Sequence, residues 1–158
     1  MIKLILAVDD VGGIGKDNTL PWPHNSTDLK RFKALTSGHV VVMGSKTWNA
    51  EGMPKPLPNR VNYIFSNTMT EAKGANIVNG DVERALEIIA LKHMYKDIWV
   101  IGGSTLVDQC WDMFREMYIT RIPGDFNCDT KINIDRLNKE TVSQYQQYPE
   151  LRFEKYKR

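Results

Sequence analysis

Four short apolar runs set the strongest limit on what this chain can fold into: Ile2–Val8, Val40–Met43, Val61–Phe65 and Ile98–Ile101. Each is rich in Val, Ile or aromatic residues and nearly continuous rather than alternating, the pattern of a strand covered on both faces in a parallel sheet. Ala75–Val78 reads as a further strand. Helical patterns lie between the runs. Leu29, Phe32 and Leu35 share a face and Gly38 follows as a stop, which predicts a helix over Ser26–Ser37. Val82, Ala85, Leu86, Ile89 and Ala90 fit the i, i+3, i+4, i+7, i+8 template behind Asp81. Leu106, Cys110 and Met113 predict a third helix after Gly102-Gly103, and a short one is expected after Gly44. Further on, Glu116–Ile122 alternates and Leu151–Tyr156 reads as a strand with no strong helix between them, so an antiparallel edge ribbon is expected. The class is α/β: one domain over residues 1–158, with a mixed, mostly parallel central sheet, about four flanking helices and an antiparallel C-terminal edge.

Composition removes several function classes. The net charge of +2 gives little push toward nucleic acid or an acidic membrane. The two cysteines, Cys110 and Cys128, have no paired spacing, and His24, His39 and His93 are scattered, so neither a disulfide framework nor a metal site is expected. The first apolar run is too short to cross a membrane and is closed by Asp9-Asp10 rather than a cleavage site. A cytoplasmic monomer acting on a small molecule is the expectation.

In open α/β sheets ligands bind beyond the carboxyl ends of the strands. Three segments occupy such places: the long loop Asp9–Asn25, Gly44-Ser45-Lys46-Thr47-Trp48, and Gly102-Gly103-Ser104-Thr105. A Gly-Gly turn at a strand-to-helix junction lets the backbone approach a phosphate, and it equally serves as a tight packing turn. The second such junction, with a cation and two hydroxyls, points to a ligand with two phosphates, such as a dinucleotide. Asp28 shares a helix face with Phe32 and Leu35. A carboxylate on that inward face would be desolvated, its pKa raised, and so a proton donor near neutrality. The other reading is local: Asn25-Ser26-Thr27-Asp28 resembles a capping box. Arg60 is either a solvated surface residue or a fork for a ligand carboxylate.

Taken in order, Leu4-Ile5-Leu6-Ala7, Ile14-Gly15, Leu20-Pro21-Trp22, Asp28 with Phe32, Val42-Met43-Gly44, Thr47-Trp48, Pro56-Leu57-Pro58, Arg60-Val61-Asn62, Ile101-Gly102-Gly103, Tyr118-Ile119-Thr120 and Asp129-Thr130 resemble the dihydrofolate reductase family over nearly the whole chain. The resemblance implies reduction of 7,8-dihydrofolate to tetrahydrofolate with NADPH, and diaminopyrimidine antifolates as inhibitors. It implies that Asp28 holds the pteridine, supported by Thr120 through a water, with Ile5, Ala7, Leu29, Phe32, Leu57 and Met53 lining the substrate pocket. Arg60 would grip the glutamate carboxylate. Ala7, Ile14, Leu20 and Ile101 would flank the nicotinamide, with Gly15 and Asn18 nearby, under a loop carrying Leu20 and Trp22. Gly44, Ser45, Lys46, Thr47, Gly102, Gly103, Ser104, Thr105 and Leu106 would meet the phosphates, and the Gly102–Gly103 peptide would be cis.

The chain departs from the family in places. Val107 stands where many members carry a Tyr near the nicotinamide. Ser45 and Thr105 replace commonly basic residues, leaving Lys46 as the clearest cation for a 2′-phosphate, with Ser66 and Asn67 as hydrogen-bonding partners. Two other readings stay open: a related pterin or pyrimidine reductase, which would not need Asp28, Phe32 and Arg60 together, and a module that binds folate or a dinucleotide without turnover.

Overall fold

The computed structural model describes residues 1–158. Strand β1 (Ile2–Val8) leads into the short β2 (Gly13–Gly15), then helix α1 (Ser26–Thr36), β3 (Val40–Gly44) and α2 (Ser45–Trp48). The chain continues through β4 (Val61–Phe65), β5 (Asn76–Val78), α3 (Val82–Lys92), β6 (Ile98–Val100) and α4 (Ser104–Gln109). It ends with β7 (Glu116–Arg121), β8 (Thr130–Lys131), α5 (Ile134–Asn138), β9 (Val142–Gln147) and β10 (Arg152–Lys157). Eight strands form one sheet in the order β5-β4-β3-β6-β1-β7-β10-β9, and β2 pairs with β8 apart from it. All neighbours through β7 run parallel, and β10 pairs antiparallel with both β7 and β9. No helix is long and apolar enough to cross a membrane.

The continuous apolar runs become strands with two covered faces. Successive side chains point to opposite sides of a sheet. Ile2, Leu4, Leu6, Val8, Val40, Val42, Ile98 and Val100 pack on one side with Leu86 and Ile89 of α3 and Leu106 and Val107 of α4. Ile5, Val41, Met43, Ile64 and Trp99 face the other side, with Phe32 and Leu35 of α1 against them. Each such buried aliphatic side chain contributes about 1.5–3 kcal/mol.

Helix α1 begins where Asn25 Oδ1 accepts the Asp28 amide at 2.9 Å, and α3 where Asp81 does the same for Arg84 at 3.1 Å. The third expected helix is shorter than its apolar spacing suggests. It stops at Gln109, and the tighter turn Trp111–Met113 carries the same face onward. The expected antiparallel C-terminal edge is present, with β10 antiparallel to β7, and it holds one strand more than expected. Strand β7 lies inside the sheet, parallel to β1 with Leu4 opposite Met117, and its four central residues are all buried. The outermost strand at this end is β9, which has no counterpart among the elements expected from the sequence, and neither do β2, β8 and the fifth helix α5.

Candidate active site

The carboxyl ends of β1, β3, β6 and β7 open into one cleft of about 1250 Å³, walled also by α1 and the loop around Leu20. The topology explains the opening. The chain winds outward from β1 through β3, β4 and β5, then returns to insert β6 between β3 and β1. Loops on either side of such a reversal diverge and leave a crevice.

On the α1 side, Asp28 Oδ1 accepts the Thr120 hydroxyl at 2.6 Å across 92 residues of sequence. The Asp28 side chain therefore does not serve as the cap of α1. Asn25 supplies the cap, while the Asp28 side chain turns across the helix face toward β7. The contact with Thr120 is direct, where the resemblance implies a water. Around the pair the wall is apolar, with Ile5, Ala7, Leu29, Phe32, Leu57 and Met53. Burial pushes the Asp28 pKa above the ordinary aspartate value; the Thr120 bond and the Arg31 charge oppose that push without overcoming it.

Arg60 stands at the outer end of this wall. Its Nε donates to the Pro58 carbonyl at 2.9 Å and its Nη1 to Thr36 Oγ1 at 3.0 Å, which leaves Nη2 without a protein partner. Thr36 Oγ1 in turn donates to the Phe32 carbonyl at 2.8 Å. Asn62 shapes the segment that presents Leu57 and Arg60. This buried amide accepts the Leu57 N–H and donates to the Leu57 and Arg60 carbonyls, all within 3.1 Å.

Across the cleft, the first turns of α2 and α4 face the same space. Their N-cap residues, Gly44 and Gly103, offer no side-chain acceptor to the first amides. Ser45, Lys46, Thr47, Ser104, Thr105 and Leu106 line the cleft there. The Gly102–Gly103 peptide is cis, and Gly102 has a φ of 125°. A Cβ on Gly102 would come within 3.3 Å of Thr47 Oγ1, so glycine alone fits this conformation. Open amides, hydroxyls and a bare glycine backbone suit phosphate oxygens, so these residues fit the pyrophosphate of a dinucleotide. Ser66 and Asn67 reach the same region. Ser66 Oγ accepts the Met69 amide at 3.0 Å and Asn67 Oδ1 the Gly80 amide at 3.3 Å, leaving the Asn67 NH₂ group open. Lys46 is exposed beside them.

The third side is the loop bearing Ile14, Gly15, Asn18 and Leu20, all in the cleft wall. Asp17 and Asn18 both adopt positive φ between the paired Lys16 and Thr19, a tight two-residue turn. Asp129 Oδ2 accepts the Asp17 amide at 2.8 Å and ties the turn down. Leu20 is half exposed at the mouth.

The structure brings every expected site residue into this one cleft except Trp22. That side chain is buried behind the loop with Ile122, Cys128, Leu151 and Phe153, edge-on to Phe126 at 5.6 Å. Its place in the core makes it a loop anchor. Val107 is fully buried in the core and does not line the cleft. Arg31 is a cleft residue with no counterpart among those expected from the sequence. It lines the cleft one turn beyond Asp28, and on a helix an arginine has no local signal separating a site residue from a solvated one.

Comparison with known proteins points the same way. The family model described as dihydrofolate reductase matches residues 1–158. The dihydrofolate reductase of Staphylococcus aureus is 38% identical over 129 residues, covering 82% of this chain and 76% of that protein. The bifunctional dihydrofolate reductase-thymidylate synthase of Paramecium tetraurelia is 35% identical over 133 residues, 83% of this chain. The chain spans only 28% of that bifunctional relative. A solved structure of dihydrofolate reductase from Enterococcus faecalis, complexed with NADP(H) and RAB-propyl, superposes with a TM-score of 0.81. That match covers 100% of this chain and 96% of the other at 29% identity.

Proposed function

The chain belongs to the dihydrofolate reductase family, NADPH-dependent oxidoreductases, and from that premise we propose that its cleft reduces 7,8-dihydrofolate to 5,6,7,8-tetrahydrofolate by the residues described above. NADPH, when bound, supplies the hydride that reaches C6 of the pterin. The rest of the work falls to the chain. The Asp28 carboxylate holds the pterin's amino group and ring nitrogen, and Thr120 holds Asp28. A negative charge in a poorly solvated pocket raises the proton affinity of the nearby N5, which takes its proton from a water admitted at the mouth. Ile5, Ala7, Leu29, Phe32 and Leu57 exclude other water and align the ring; such juxtaposition supplies a large part of the barrier reduction. The open Nη2 of Arg60 meets the α-carboxylate of the glutamate tail. Gly102 to Thr105 with Thr47 hold the pyrophosphate, and Lys46, Ser66 and Asn67 hold the 2′-phosphate. Leu20 covers the reacting rings when its loop closes.

One observation carries the reading: a single carboxylate, held by one hydroxyl in an apolar wall, faces the same cleft as two uncapped strand-to-helix junctions. A glutamate-tailed substrate explains Arg60 at the far end, which a pterin or pyrimidine precursor would not need. The protein acts as a cytoplasmic monomer in this reading. Diaminopyrimidine antifolates, which present the same pairing edge to Asp28, compete with the substrate.

The test is loss of absorbance at 340 nm on mixing protein, NADPH and dihydrofolate, with NADH in parallel. Turnover with NADPH, and a much weaker rate with NADH, is the expected result. Tryptophan quenching by both ligands without NADPH consumption would replace this reading with a binding module.

A further inference from the structure

Arg31 carries a positive charge that the scheme above leaves idle. It lies three residues beyond Asp28 on α1, close enough for the two side chains to be neighbours. Its guanidinium carbon stands 4.2 Å from the Phe153 ring centroid and 5.5 Å from that of Tyr118. Tyr118 and Thr120 share a face of β7, and Phe153 sits directly opposite Thr120 in the β7–β10 register. The two rings therefore fix the guanidinium beside the Thr120–Asp28 contact. Neither an ion pair nor a hydrogen bond to the protein engages it, although a half-buried arginine ordinarily has a carboxylate partner.

We propose that Arg31 is a positioning residue of the substrate pocket: pinned by two aromatic rings instead of an ion pair, its charge keeps Asp28 in the carboxylate form that grips the pterin. The proposal rests on the folate-reducing reading of the cleft. Ring stacking does what a salt bridge would not, because it fixes the cation without neutralising it. The Thr120 hydroxyl opposes protonation more strongly, and among charged groups the surroundings leave the task to Arg31. β7 offers Asp28 the Thr120 hydroxyl and, farther off, the Tyr118 phenol, which donates to Glu116 at 3.0 Å. β10 presents Phe153, and the turn before it brings Tyr148 near Arg31. Lys3 and Lys155 lie beyond the Tyr118 ring, where Glu116 engages them at 3.2 and 3.8 Å. β1 and the 57–60 segment contribute apolar Ile5, Ala7 and Leu57 to the same wall. Burial drives Asp28 toward protonation, and Arg31 is the charged group that resists it.

The experiment is a ¹³C-carboxyl NMR titration of the ligand-free protein, with the Asp28 resonance assigned by its disappearance in Asp28→Asn. Arg31→Met and Arg31→Gln, two neutral replacements, should each raise the Asp28 midpoint by about one pH unit, and Arg31→Lys should return most of that shift. The acid limb of the kcat/KM–pH profile, where protonation of Asp28 releases the pterin, should move up by the same amount. An unmoved midpoint in either folded neutral variant overturns the proposal. So does an Arg31→Lys midpoint as high as the neutral ones, which would make the role one of packing. Failure of the wild type to oxidise NADPH with dihydrofolate would instead sink the folate reading, and the NMR result would still report on the Arg31–Asp28 coupling.

Discussion

Asp9 and Asp28 are two carboxylates withdrawn from water on neighbouring parts of the molecule, and they behave in opposite ways. Asp9 follows β1 and is fully buried. It accepts N–H bonds from Gly13 at 2.7 Å, Val11 at 3.0 Å and Phe126 at 3.1 Å, and the Cys128 thiol at 3.7 Å. Burial alone would raise its pKa; the donors together outweigh burial and hold it below the ordinary value. The cage is closed, since a Cβ on Gly13 would lie 2.6 Å from Asp9 Oδ2 and 2.5 Å from Cys128 Sγ. Asp28 has one hydroxyl donor and an apolar wall, and burial wins. Burial alone does not separate the structural carboxylate from the one proposed to bind substrate. The number of lone pairs already committed to the protein does. Asp9 has none to spare, whereas Asp28 keeps most of its acceptor capacity for a ligand.

The largest test of that distinction is Asp28→Asn. It should cut turnover at neutral pH by on the order of a thousandfold while the Kd for NADPH, read by fluorescence, stays within a factor of two. Wild-type turnover in this variant would return Asp28 to the status of a cap. Asp9→Ala should do the reverse. It strands three backbone N–H groups, at about 1–3 kcal/mol each, so the urea midpoint should fall by the equivalent of at least about 3 kcal/mol. The rate per folded molecule should change only severalfold. A thousandfold rate loss with unchanged stability would show that Asp9, too, serves the chemistry.

The same contrast explains what could be read from the chain before its structure was known. Strands β1, β3, β4 and β6 were legible because both faces are covered and the hydrophobic signal is uninterrupted. β9 was not: Val142–Gln147 is mostly exposed and is held by backbone pairing with β10, which leaves no apolar trace. β7 misled for an instructive reason. Its alternation looked like an edge strand, yet the residues breaking the apolar run, Tyr118 and Thr120, lie beneath α1 beside the site. Asp28 was legible as a cap as well as an acid, because the partner that turns its side chain away from the cap is Thr120, 92 residues away. Arg31 carried no local signal, and Asn62 stood only as the end of the Arg60-Val61-Asn62 motif, with no role attached. Their roles come from rings and carbonyls that only the fold brings near them.

Thr120→Val sharpens the comparison by removing Asp28's one donor with little change of shape. A hydrogen bond to a charged group contributes about 1.5–3 kcal/mol, so the KM for dihydrofolate should rise roughly tenfold or more, with the KM for NADPH unchanged. The Asp28 pKa should climb further, since that bond opposes burial. No change in either quantity would mean that a water replaces the hydroxyl at no cost.

The smallest effect, and the most direct, is on stability as a function of pH. Asp9 has a lowered pKa when folded, so its contribution is present above the unfolded aspartate value, near 4, and is lost as pH falls through the lower folded value. Asp28 has a raised pKa, so its contribution is present below about 4 and is lost as pH climbs through the higher folded value. Two uncharged variants should therefore move Tm in different pH ranges. Asp9→Asn should flatten the acid limb of the wild-type Tm curve. Asp28→Asn should leave that limb in place and raise Tm by a few degrees at neutral pH, where the wild type carries an ionised, poorly solvated carboxylate. A Tm gain in the same variant that loses turnover would mark Asp28 as a site where folding stability has been given up for binding. Matching curves for the two variants would mean that their donors, one hydroxyl against three amides, do not govern how the two carboxylates differ.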